Sequence, residues 1–112
     1  MESFLGIDIG TTAIKASLVR IDGYVVAEAQ IEQQLIACRP NWTEQHPETW
    51  WQNTKLVICK IMKMVQSVPE PVTIKAIGFS GQMHSSVFLD AKGDVIRPAL
   101  LWNDARTSEQ CR

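Results

Sequence analysis

No run of like charge interrupts this sequence, and its 11 basic and 12 acidic residues leave a net charge of −1. Without a basic patch there is no electrostatic footprint for nucleic acid, and nothing marks an anionic membrane surface as a partner. A neutral or small anionic ligand fits better. No apolar run approaches the ~20 residues that a bilayer demands. Met1-Glu2-Ser3 lacks a positive leader region and Asp8 breaks the apolar stretch that follows, which argues against a signal peptide. Cys38, Cys59 and Cys111 are odd in number and lack the Cys-x-x-Cys spacing of a zinc or redox centre, so reduced thiols in a cytoplasmic protein are expected. The Gly-x-x-x-x-Gly-Lys and Gly-x-Gly-x-x-Gly signatures are also missing, as are repeats and low-complexity tracts.

What is present is a chain of 112 residues, 46% of them hydrophobic, enough for one domain that buries a core. Phe4 to Ile9 reads as an apolar strand, and Ala13 to Ile21 as a second. Asp22-Gly23 is a hairpin turn into a third strand, Tyr24 to Gln33, with Val25, Ala27, Ala29 and Ile31 expected on one face. Pro47 suits the first position of a helix and Glu48 its positive end. Trp50, Val57, Ile58, Ile61 and Val65 then recur at helical spacing, and the prolines at 69 and 71 stop the helix. Ile74 to Ser80 is the next strand, expected to run parallel to the first through a crossover. Ser86–Leu89 and Val95–Arg97 flank a turn and predict a small hairpin, and a further helix is expected from Asn103.

Three constellations carry chemistry. In the first, Asp8-Ile9-Gly10-Thr11-Thr12, glycine allows a phosphate to approach backbone N–H groups, the threonines add donors, and Asp8 is suited to Mg²⁺ beside a polyphosphate. An ordinary hairpin turn with a solvated aspartate explains the same residues equally well. Lys15 either faces the phosphates or is a solvated strand residue. The second, Ser80-Gly81-Gln82-Met83-His84, follows a parallel strand, where open α/β sheets bind ligands. Gln82 and His84 suit hydroxyls, although a hydrogen-bonded loop histidine is the plainer reading. The third, Trp102-Asn103-Asp104-Ala105-Arg106, has the groups that cradle a polyol, or equally a capped helix start behind a core tryptophan.

The first constellation resembles the leading phosphate motif of the actin-like ATPases, and a β-β-β-α-β order is how a ribonuclease-H-like domain begins. With Trp42-Thr43-Glu44-Gln45, Pro47-Glu48-x-Trp50-Trp51 and Arg97-Pro98-Ala99 in register between and beside the constellations, the chain is similar to the amino-terminal end of the FGGY carbohydrate kinases, in particular those acting on D-xylulose. The resemblance implies an incomplete α/β domain with a mixed sheet, ATP and Mg²⁺ as cofactors, and a ketose as substrate. Asp8 would support the metal, and Gly10, Thr11, Thr12 and Lys15 the ATP phosphates. Gln82, Met83, His84, Trp102, Asn103, Asp104 and Arg106 would line the sugar side. It leaves open another ketose, of sedoheptulose or ribulose type, a non-catalytic sugar-binding or interaction module, and a homodimer of the intact protein. The Arg-Glu pair of the glycerol-phosphorylating members is replaced by Gln82-Met83-His84. Ser85 stands where glycine is usual and His46 where aspartate is usual. The family's catalytic base and adenosine pocket lie past Arg112, so residues 1–112 are expected to be part of the first domain, inactive alone.

Overall fold

The computed structural model describes residues 1–108 and 110, so the expectation for the Cys111 thiol lies outside the described residues. Strict alternation drives β1 (Glu2–Ile9), which buries Ser3, Leu5 and Ile7 and turns Glu2, Phe4, Gly6 and Asp8 to the other face. β2 (Ala13–Arg20) pairs antiparallel to it and buries Ile14, Ala16 and Leu18. Gly23, at φ 93°, takes the left-handed conformation that the turn into β3 (Val25–Glu32) requires.

One expectation about β3 is corrected. Ala27, Ala29 and Ile31 do face the core, but Val25 is exposed and Val26 packs inward in its place. The register shifts between Leu18 and Val19, which leaves Val26 as an extra residue, and a bulge of this kind swaps the two faces of the strand beyond it.

After a two-residue strand, β4 (Glu44–Gln45), helix α1 (Pro47–Val65) starts with proline at its first turn. His46 at the N-cap makes no side-chain capping bond. The expected apolar stripe is in place: Val57 and Ile61 are fully buried, with Trp50, Ile58 and Val65 packed around them. Thr54 joins the buried face because its hydroxyl donates to the Trp50 carbonyl at 2.7 Å and needs no outside partner.

β5 (Thr73–Ser80) lies parallel to β1, giving the sheet order β3-β2-β1-β5. Helix α1 covers β2 and β3. Ile77 and Phe79 are in register with Leu5 and Ile7 on the same face, yet they stay exposed at 51% and 67%. A radius of gyration of 17.2 Å, against about 13 Å for a compact domain of this length, reflects that uncovered half.

The expected hairpin is present in short form: Leu89 and Val95 bridge antiparallel around the Asp90–Asp94 turn and the Ile96 amide donates to the Phe88 carbonyl at 3.0 Å, while Ser86 pairs with Leu100 instead. β6 (Ala99–Leu100) pairs with β4. In place of a helix from Asn103, the described residues form a 3-10 turn at Arg106–Ser108, opened by Asp104 accepting the Arg106 amide at 3.0 Å.

Candidate functional site

β1 and β5 are parallel, so their carboxyl ends coincide, and the register sets Asp8 beside Ser80. The Ser80 hydroxyl donates to Asp8 Oδ1 at 2.9 Å. On the other side Asp8 pairs in register with Lys15 of β2. Cross-strand partners share a face, so Asp8, Lys15 and Ser80 open on the same shallow groove of about 500 Å³. Gly6 and Gly78, also in register on this face, leave its floor bare. Sequence reasoning missed this pair; its signal is two glycines each two residues ahead of a polar strand end.

The turn after β1 admits nothing but glycine at position 10. The Gly10 amide donates to the Ala13 carbonyl, and a Cβ there would stand 2.8 Å from that oxygen. Thr12 is exposed, whereas the Thr11 hydroxyl accepts from Trp102 Nε1 at 3.0 Å and donates to Gln82 Oε1 at 3.4 Å. Gln82 Nε2 reaches the Gly10 carbonyl at 3.3 Å. Thus the first, second and third constellations meet around one turn.

Met83 is 72% exposed, and His84 is exposed with φ 55°. A left-handed histidine costs ~1–2 kcal/mol and signals a backbone held for a reason other than local preference. Asn103 is exposed.

Asp104 and Arg106 are drawn away from that turn. Arg106 pairs with both Asp104 oxygens and, through one guanidinium nitrogen, with Glu44; Arg97 adds a second contact to Glu44 at 2.6 Å. Asp104 also accepts the Thr43 amide at 2.6 Å, and the Arg106 guanidinium lies 3.7 Å from the Trp42 ring centroid. Burial pushes the Asp104 carboxyl up, but the bonds from Arg106 and the two backbone amides outweigh it and hold the group below its usual range. The same bond from Asp104 raises Arg106 above its ordinary value. These two residues shape the wall through an ion-pair cluster, with little polar capacity left for a sugar.

Three more residues that carry the site escaped individual assignment. Gln45 and Gln33 are buried and hold the Gly10–Thr12 turn from beneath, and Glu44 centres the ion-pair cluster. Gln33 has a readable signal, since it continues the inward phase of Ala27, Ala29 and Ile31 with a polar side chain.

A divalent cation was tested against this donor set. Among the described residues no group of three or more His, Cys, Asp or Glu side chains converges. The single Asp8 carboxylate, with one oxygen engaged by Ser80, still fits Mg²⁺, which takes one or two carboxylates and completes its shell with phosphate and water.

Comparison with known proteins agrees with this geometry. Residues 3–112 match the model of the amino-terminal domain of the FGGY family of carbohydrate kinases. The xylulose kinase of Escherichia coli K12 is 44% identical over 110 residues, covering 96% of this chain and 22% of that protein. The xylulose kinase of Bacillus subtilis 168 is 40% identical over 111 residues, covering 99% and 22%. Among solved structures, the xylulose kinase from Rhodospirillum rubrum superposes with a TM-score of 0.89 at 31% identity, over 96% of this chain and 22% of that one. Plasmodium falciparum glycerol kinase with ADP reaches 0.89 at 22% identity, over 98% and 22%, a likeness of fold. The chain therefore spans about a fifth of the length of the relatives it matches.

Proposed function

The chain belongs to the FGGY family of carbohydrate kinases, and on that premise we propose that the full-length protein transfers the γ-phosphoryl group of ATP to D-xylulose, giving D-xylulose 5-phosphate. The observation that carries this reading is the bond from Gln82, at the head of the Gln82-Met83-His84 loop, to the Gly10 carbonyl. It makes a sugar held by the loop and phosphates held by the turn immediate neighbours, as in-line transfer requires. The names of relatives 38–44% identical support xylulose as the sugar.

In this mechanism the backbone of Gly10 to Thr12 cradles the phosphates, and Lys15 offsets their charge from the same sheet face as Asp8. Asp8, oriented by Ser80, would hold Mg²⁺, which when bound neutralises charge on the transferred group. Met83 and His84, on the exposed loop, contact the ketose, and Trp102 offers its ring beside Thr11. Asp104 and Arg106 keep that wall in shape. None of the residues assigned here takes the role of the base that accepts the sugar hydroxyl proton. Free Cys38 and Cys59 support a cytoplasmic location.

The test is ADP release by a full-length kinase carrying this segment, with xylulose, ribulose and sedoheptulose offered in turn. Xylulose should give the largest kcat/KM, and Asp8→Asn should lower turnover by about two to three orders of magnitude. Faster turnover of another ketose would overturn the substrate, and near-normal turnover of Asp8→Asn at saturating Mg·ATP would overturn the role of Asp8.

A further inference from the structure

Gln45 is 2% exposed, and each polar atom of its amide is paired. Nε2 donates to the Thr11 carbonyl at 2.7 Å and to the Gln34 carbonyl at 3.4 Å. Oε1 accepts from Trp50 Nε1 at 2.8 Å and from Gln82 Nε2 at 3.0 Å. One side chain therefore ties together the phosphate turn, the exit of β3, the first turns of α1 and the loop that follows β5. An amide is suited to this because its NH2 offers two donors at one end and its carbonyl an acceptor with two lone pairs at the other. Neutrality also matters, since a charge buried at this depth would need a counter-ion.

We propose that Gln45 is a positioning residue for phosphoryl transfer: it holds the Gly10–Thr11 turn and the Gln82–His84 loop as one registered unit. Nucleotide and sugar affinity then both depend on a side chain that touches neither ligand. The inference rests on the function proposed above for the loop, while the turn can be examined without any sugar. Thr11 closes the circuit, since its carbonyl is held by Gln45 and its hydroxyl by Gln82 and Trp102. A displacement at Gln45 is thereby passed to both sides of the cleft.

The test uses a full-length kinase carrying this segment, with Gln45→Met, which keeps volume and removes every bond, and Gln82→Met, which cuts the bonds from the loop to Gln45, Thr11 and Gly10. Mg·ADP and xylulose are titrated calorimetrically, well below the melting temperature of each variant. Gln45→Met should weaken Mg·ADP and xylulose each by about five- to thirty-fold, the loss of one or two hydrogen bonds at a desolvated node. Gln82→Met should affect xylulose more than Mg·ADP, and the double variant should be markedly less than additive, as members of one network are. A Gln45→Met protein that melts at lower temperature but binds Mg·ADP normally would overturn the proposal, leaving Gln45 as core packing. If Gln45→Met does not fold, additive effects of Gln82→Met and Trp50→Phe, whose hydrogen bonds share Gln45 Oε1, on xylulose and Mg·ADP binding would overturn it, because the circuit would not exist. Should the unaltered kinase bind Mg·ADP but not xylulose, the substrate reading fails, and the positioning role stands or falls on the Mg·ADP arm.

Discussion

Glu44 and Gln45 are neighbours in the chain, both buried on the same two-residue strand, yet they anchor opposite kinds of polar assembly. Glu44 centres an ionic cluster with Arg97, Arg106 and Asp104. Gln45 centres an uncharged one with Thr11, Trp50 and Gln82. Adjacent residues on a strand point to opposite sides, so a single short element can serve both. The difference teaches how the site divides its labour. The ionic cluster fixes a wall and is sensitive to pH and to loss of any member. The amide cluster is directional and indifferent to pH.

The largest expected effect breaks the ionic side. Arg106→Met strips Asp104, at 4% side-chain exposure, of its counter-ion, while Glu44 keeps Arg97. Uncompensated buried charge of this kind costs ~3 kcal/mol or more, to be read as a lower urea midpoint at unchanged slope. Arg106→Lys should recover little, because an ammonium reproduces neither the two-pronged pairing nor the stacking on Trp42. A loss below ~1 kcal/mol would make the cluster equivalent to a surface pair.

Acid should separate the two assemblies next. The Asp104 pKa is lowered in the folded state, so its contribution to stability is complete above the ordinary carboxylate value near 4 and disappears as pH falls through the lower folded value. Melting temperature should therefore drop on acidification below about pH 4, and Asp104→Asn should flatten that part of the curve. Asp22, lowered to about 2 chiefly by its bond to Arg20, supplies a control. Its pair is exposed and screened by salt, so Asp22→Asn should change the curve far less. An equal effect of the two substitutions would erase the distinction between wall and surface.

The smallest effect lies beside the amide cluster. Ser85→Ala removes a buried hydroxyl that has no partner and should raise stability by ~1 kcal/mol in urea unfolding without ligand. A loss of stability would mean that the hydroxyl is satisfied.

Much of this was legible in the sequence, for reasons that differ by element. β1, β2 and α1 declare themselves because their apolar periods run for two turns or more, and Pro47 fixes where the helix begins. The β3 bulge does not, since one inserted residue leaves composition untouched while exchanging Val25 for Val26. β4 and β6 are two residues each, too short to carry a period, and their pairing explains why Ser86 meets Leu100 rather than extending the hairpin. Gly10, Thr11, Gln82 and Trp102 do converge on one turn, with Asp8 on the strand that leads into it. The partners of Asp104 and Arg106 were hidden because Glu44 lies some sixty positions earlier, and only the tertiary fold brings it beneath them.

The bond between Ser80 and Asp8 has an implication for the order of events in folding. β1 sits in the middle of the sheet under well-packed side chains, whereas β5, which carries Ser80, is an edge strand whose Ile77 and Phe79 lie bare. Segments with few buried contacts open at low free energy, well before the rest of the molecule. The carboxylate is thus anchored early by its own strand and aimed late by its neighbour. The end of the sheet that carries Asp8 and Ser80 should therefore exchange its β5 amide protons faster than the hairpin of β1 and β2, so the chain acquires its shape before that carboxylate acquires a rigid orientation.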